Sequence, residues 1–187
     1  MHQQAFRYIE RRAAHVARGA NVLEIGSYNV NGSVRPLFGR KYHGIDVREG
    51  PGVDEAIKAQ DFDGKGAFDV VVTTETLEHD DDPEGLIAAA WKALKPGGVL
   101  LLTAAGPERA PHNSNGGHDL GDEHYRNVTP TALKGWLKDW DEVEIERDER
   151  AGDIYARAVK PKEETPTKAK RAKAEEAEPK EADEPKA

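Results

Sequence analysis

A chain of 187 residues has room for one domain with a proper core, and its net charge of −8 disfavours, without forbidding, duplex nucleic acid as a partner held by charge. It has no cysteine, which excludes a disulfide framework, a thiolate metal site and a cysteine nucleophile. The N-terminal MHQQAFRYIERR has no hydrophobic signal core and no run approaches the ~20 apolar residues of a membrane span, so a soluble, cytoplasmic, non-membrane protein is expected.

Phe6, Ile9, Ala13 and Val16 fall at helical spacing and predict a first helix stopping near Gly19. The cluster Arg7, Arg11, Arg12 and Arg18 reads as its solvated face. Val22, Leu23 and Ile25 form the apolar run of a buried parallel strand, with Glu24 at its end and Gly26 directly after. A turn rich in Asn, Ser and Gly leads to a short helix between Gly32 and Phe38, with Pro36 in its first turn. Tyr42 to Asp46 is a second strand. Arg48 to Gly52 is too short and breaker-rich for a crossover helix, so residues 53–59 are either a short edge strand or not a strand.

Asp61-Phe62 precedes a turn, and the β-branched run Phe68 to Thr74 is the central strand. Asp82 and Pro83 predict the N-cap and first position of a helix with the stripe Leu86, Ile87, Ala90, Trp91 and Leu94. Lys95-Pro96-Gly97-Gly98 ends it, and Val99 to Ala105 is another buried strand. Residues 106–128 lack periodicity and read as a lid or binding loop. Thr129-Pro130 opens a helix with Leu133, Trp136, Leu137 and Trp140 on one face, the three tryptophans being core. Val143 and Ile145 alternate with glutamates as a half-buried strand, and the turn Ala151-Gly152-Asp153 joins it in a hairpin to Ile154–Val159. From Lys160 onward the chain has eight basic and eight acidic residues and no aromatic, so the net charge sits on residues 1–159. This tail, residues 160–187, is expected to be disordered.

The stretch NVLEIGSYNVNG carries the function. Strand, glycine turn and helix start bring backbone N–H groups to a ligand at the carboxyl edge of a sheet, and Asp46, 22 residues after Glu24, suits two ribose hydroxyls. The residues therefore read as a nucleoside-cofactor site. His79 lies at the edge that faces a substrate. The run His79 to Asp82 reads as capping and solvated loop, since consecutive side chains do not converge easily on one ion. His112, His118 and His124 with Asp119 and Asp122 match no helix or hairpin face, so no metal is expected, and the segment reads as a lid presenting His118, His124, Tyr125 or Arg126.

The succession VLEIGS, YHGIDV, DF, FDVVVTTETLEH and LKPGGVLLLT resembles the class I S-adenosylmethionine-dependent methyltransferases, of the small kind with an E-x-L-E-H segment after strand four. The likeness covers roughly residues 20–105 by motif and 1–159 by element order. It implies a Rossmann-like, doubly wound, mostly parallel seven-stranded α/β sheet ending in an antiparallel hairpin. It places Glu24, Gly26 and Ser27 along the methionine part of S-adenosyl-L-methionine, Asp46 on the ribose, and Val47 on the adenine. Asp61 and Phe62 would read the adenine edge, and Glu75 would sit beside the sulfonium. The sequence departs from the family's E-x-G-x-G-x-G, with Tyr28 and Val30 at the later glycine positions and a turn remade with Asn29, counted among the cofactor contacts, and Asn31.

The resemblance implies methyl transfer to an oxygen or nitrogen of a small-molecule or sugar-type acceptor, with His79, His124 and Tyr125 as candidate bases. The alternative is a catalytically silent module of the same fold whose charged tail recruits a partner. The oligomeric state has no signal in the sequence.

Overall fold

A computed structural model describes residues 2–162, and the expectation of a disordered tail falls mostly outside them. One seven-stranded sheet organises the chain, in the order β3-β2-β1-β4-β5-β7-β6. Its strands are β1 (Val22–Ile25), β2 (Tyr42–Asp46), β3 (Glu55–Ala56), β4 (Phe68–Thr74), β5 (Leu94–Ala105), β6 (Asp141–Asp148) and β7 (Asp153–Val159). Strands β1 to β5 pair in parallel, and β7 runs antiparallel to both β5 and β6. The expected fold class is therefore the observed one.

Both sheet faces are buried, which is why the central strands read as unbroken apolar runs. On one face Leu23, Val71, Leu100 and Ala158 stand in register and pack against α2 (Pro83–Ala93) and α3 (Pro130–Trp136). On the other, Val22, Val70, Val72, Leu101 and Tyr155 meet α1 (Gln3–Ala13). The predicted caps form: Asp82 accepts from the Gly85 N–H at 2.9 Å and Thr129 from the Ala132 N–H at 3.1 Å, each with proline next.

Several expectations are refined in detail. Helix α1 stops at Ala13 and buries Ala5, Tyr8, Ile9 and Ala13, because Tyr8 stacks on Tyr155 with ring centroids 4.7 Å apart. Phe6 and Val16 pack only at its rim. Gly32 to Phe38 yields only a 3-10 turn, Arg35–Leu37, because Pro36 brings no N–H and Asn29 and Gly32 close a turn of their own. The third strand exists but has two residues, paired at the sheet edge through Ile45↔Glu55 and Asp46↔Ala56. The short link reaches it because Gly44 has no Cβ where the Gly52 carbonyl and Ser27 lie.

Strand β5 begins at Leu94, so Lys95 to Gly98 forms a bulged strand start with Gly97 at φ 79°. Edge strand β6 is mostly exposed. Glu142, at φ 46°, sits in a register shift that leaves Val143 38% exposed, and only Ile145 packs inward. Of the tryptophans, Trp140 is buried, and Trp91 meets it edge-on at 5.0 Å. The first residue expected in the tail is tied to the body, just past the end of β7: Lys160 N–H donates to the Gly98 carbonyl, and its Nζ donates to the Trp91 and Leu94 carbonyls at 2.8 and 2.7 Å.

Candidate functional site: a crevice at the carboxyl edge

From β1 the chain goes outward to β2 and β3, then returns to β4 on the other side of β1. That reversal leaves a crevice beyond the carboxyl ends of β1 and β4, the place where open α/β sheets take ligands. A cavity of about 620 Å³ fills it.

Gly26 opens the crevice floor at φ 78°, and a Cβ there would strike the Thr76 side chain. The Gly26 and Ser27 N–H groups both donate to the Ile45 carbonyl, at 2.9 and 3.0 Å, which ties the turn to β2. Asp46 accepts from the Tyr28 N–H and the Arg48 N–H, each at 3.1 Å, so its carboxylate is fixed at the crevice edge. The Arg48 guanidinium lies 4.3 Å from the Tyr28 ring centroid and braces the two loops together. Beside them Val47 is 70% exposed on the cavity wall.

Glu24 is buried, its Oε2 has no hydrogen-bond partner among the described residues, and burial, partly offset by the Tyr42 phenol, pushes its carboxyl up to about 7. Ser27 Oγ is likewise buried and unpartnered.

At the far end, Glu75 follows β4 at φ 53°, a strained value for a non-glycine residue. Its N–H donates to the Thr103 carbonyl at 2.9 Å and its carboxylate accepts from Thr103 Oγ1 at 3.0 Å. His2, at the mouth of α1, places Nε2 3.3 Å from Glu75 and 2.9 Å from the fully buried Asp153. Arg109 reaches the same Asp153 at 2.8 Å and places its Nη1 2.7 Å from His2 Nε2, so the three side chains form one hydrogen-bonded group. Hydrogen bonds to Asp153 and then to Glu75 raise His2 to about 10. Burial pushes Glu75 upward, but His2, Thr103 and Arg109 together bring it below its ordinary value.

Glu78 and His79 lie in the 3-10 turn Leu77–His79. Glu78 accepts from the Ala105 N–H at 3.1 Å, and burial followed by the charge of Glu75 raises it well above the usual carboxylate range. Burial and then His112 lower His79. Residues 106–128 fold over this end, anchored by Arg126 N–H to the Glu78 carbonyl and Val128 N–H to the Ala105 carbonyl, both at 2.8 Å.

Of the residues singled out in the sequence, Glu24, Gly26, Ser27, Asp46, Val47, Glu75, His79 and His124 all line the cavity. Asn29, Asp61, Phe62 and Tyr125 do not line it. Asn29 shapes the turn, its side chain accepting from the Gly32 N–H at 2.8 Å. Phe62 packs between His43 and Phe68, and Asp61 is exposed; Ile57 and Ala59 line the cavity on that side instead. Tyr125 packs edge-on against His79 and His112, and burial raises its phenol to about 12.

Sequence reasoning missed His2, Arg109 and Asp153, which meet only through tertiary packing. It quoted Glu78 without giving it a role, and it weighed His112 with His118, His124, Asp119 and Asp122 instead. The consecutive Glu78 and His79 converge with His112, because a 3-10 turn and a returning loop bring them together.

Comparison with known proteins agrees with this architecture. Residues 1–141 match a family model described as a methyltransferase domain. The chain is 29% identical over 146 residues to a ubiquinone biosynthesis O-methyltransferase of Marinobacter nauticus, covering 68% of this chain and 57% of that one. It is 39% identical over 59 residues to one of Caulobacter vibrioides, covering 32% of this chain and 22% of that one. The chain thus spans less than two thirds of the length of these relatives.

Among solved structures, a phosphoethanolamine N-methyltransferase of Haemonchus contortus in complex with S-adenosyl-L-methionine superposes with a TM-score of 0.66 at 18% identity, over 85% of this chain and 52% of that one. A 1,6-didemethyltoxoflavin-N1-methyltransferase of Burkholderia thailandensis gives 0.62 at 21% identity, over 84% and 78%. With the family model spanning most of its length and the crevice at the strand ends where that fold binds its ligand, the chain belongs to the methyltransferase-domain family, on the class I fold of S-adenosylmethionine-dependent enzymes.

Proposed function

We propose that this chain binds S-adenosylmethionine along the crevice and transfers its methyl group to a small acceptor, at oxygen or nitrogen. The observation that carries the reading is Asp46, a carboxylate held by two backbone amides beside an exposed apolar Val47 at the β2 tip. That pairing suits a ribose diol next to a stacked base. Ile57 and Ala59 continue the apolar wall for the adenine, in place of the contacts expected from Asp61 and Phe62. Glu24, buried with an unpartnered oxygen, suits the ammonium of the methionine part, and Ser27 Oγ has a free position on the same side.

The cofactor supplies an electrophilic methyl group on a sulfonium sulfur. Glu75, kept ionised by His2 and Thr103, places a negative charge at that end of the crevice. The loop over the site excludes water and holds the acceptor near the methyl group. His79 and His124 face the cavity as candidate proton acceptors for a hydroxyl acceptor. Tyr125, outside the lining, is given the role of supporting the His79 and His112 rings. The relatives named for O-methylation favour oxygen over nitrogen. Among the described residues no helix is long and apolar enough to cross a membrane.

Calorimetric titration of S-adenosylmethionine tests the reading. Asp46→Ala is expected to weaken saturable binding by about tenfold or more, the loss of hydrogen bonds to a charged group. Equal affinity in the two proteins would remove Asp46 from the site and the reading with it.

A further inference from the structure

Glu78, His79 and His112 each offer one ligand atom, and these atoms lie within 4.8 Å of one another. Two of the atoms available are buried polar atoms without a hydrogen-bond partner among the described residues, Glu78 Oε2 and His79 Nδ1. Glu78 is 0% exposed and its Oε1 is held by the Ala105 N–H, so the carboxylate is fixed in orientation with one oxygen left over. His112 Nδ1 stands 3.2 Å from the Ala110 carbonyl. Donation there puts the proton on Nδ1 and leaves a lone pair on Nε2, the arrangement that orients metal-binding imidazoles. Tyr125 packs against both rings, with centroids 5.5 Å from His79 and 5.0 Å from His112.

Buried groups of this kind cost free energy unless something partners them, and one cation would satisfy both, with His112 as a third ligand. Among the described residues the other group at metal-ligand spacing, His2, Glu75 and Asp153, already has a cation, because the Arg109 guanidinium sits on Asp153.

We propose that Glu78, His79 and His112 form a site for a divalent transition-metal ion whose remaining coordination positions open onto the acceptor side of the cavity. Two imidazoles and one carboxylate suit zinc, iron, cobalt or manganese better than the hard oxygen-seeking magnesium or calcium. Three protein ligands with open positions is the pattern of a reactive rather than a structural site. Both histidines line the cavity, so a ligand on the ion would reach the space beyond Glu75.

The role of the ion rests on the methyl-transfer reading. An acceptor hydroxyl bound to it ionises more readily, as metal-bound water does. Its proton passes to the His124 imidazole, since His79 is then a ligand. The acceptor oxygen forms the new bond to the methyl carbon, and the carbon–sulfur bond breaks with its electron pair left on sulfur. This chemistry selects an oxygen acceptor.

The test uses the full chain freed of metal by chelator and titrated with Co²⁺, followed by visible absorption and calorimetry. One Co²⁺ per chain is expected, with His112→Ala and Glu78→Gln each weakening it tenfold or more. His15→Ala, an exposed imidazole outside the cavity, is expected to leave it unchanged. His112→Ala lies on a loop and keeps the test independent of whether Glu78→Gln folds. Absence of saturable Co²⁺ binding, or binding to His112→Ala as tight as to the unaltered chain, overturns the site.

S-adenosylmethionine titrated into the same samples separates the two ideas. Retained Co²⁺ with no cofactor binding upholds the metal site and removes the methyl-transfer reading. Cofactor binding without Co²⁺ removes the metal site alone.

Discussion

Three carboxyls at one sheet edge are driven toward different protonation states by their neighbours. Glu24 is raised to about 7 by burial, Glu78 is raised well above the usual carboxylate range by burial and Glu75, and Glu75 is held low by His2 and Thr103. Glu24 gives a signed prediction. Free protein holds Glu24 protonated below pH 7, and a ligand ammonium favours the ionised form. Cofactor affinity therefore rises with pH up to about 7 and then levels, with proton release visible as a buffer-dependent binding enthalpy. Glu24→Gln should flatten that rise; an unchanged slope would clear Glu24 of the effect.

His2 gives a stability prediction of opposite sign. Asp153 and Glu75 raise its folded value from 6.5 to about 10 against the Arg109 guanidinium 2.7 Å from Nε2, so the stabilisation is complete below pH 6.5 and lost as pH rises through the folded value. In thermal denaturation His2→Gln should melt below the unaltered chain at pH 6, with the gap closing above pH 10. A gap that ignores pH would mean His2 acts by packing alone.

At the scale of elements, the helix starts are set by local chemistry that can be tested singly. Asp82 satisfies the Gly85 N–H at the start of α2, so Asp82→Ala should cost about 1 kcal/mol in urea denaturation, with the slope unchanged. An unchanged midpoint would show the cap is dispensable. Such signals explain what could be read in advance: strands β1, β2 and β4, both proline-led helices and the closing hairpin follow from apolar runs, caps and turns.

The segments that could not be read are those decided by contacts distant in sequence. The buried face of α1 is chosen by Tyr155, the length of β3 by the close approach at Gly44, and the bulge in β6 by its pairing with β7. The candidate site divides the same way. Glu24, Asp46 and Glu75 sit at strand tips that the sequence locates. Asp61, Phe62 and Tyr125 sit on connections whose path it does not determine, and Asp153 looked like an ordinary turn residue until folding buried it.

At the scale of the molecule, the sheet serves to hold one edge. Every strand from β1 to β5 delivers its carboxyl end to the same side, and the long loop after β5 returns over that side before α3 resumes packing. The central claim is that one cofactor lies along this edge, with its ribose on Asp46 and its sulfur toward Glu75. A crystal structure of the full chain with S-adenosylhomocysteine tests it most directly. The account predicts both ribose hydroxyls within hydrogen-bond distance of Asp46, the adenine against Val47 and Ile57, and the sulfur facing the Glu75–His79 end. A ligand bound elsewhere, or reversed so that the adenine meets Glu75, would contradict it.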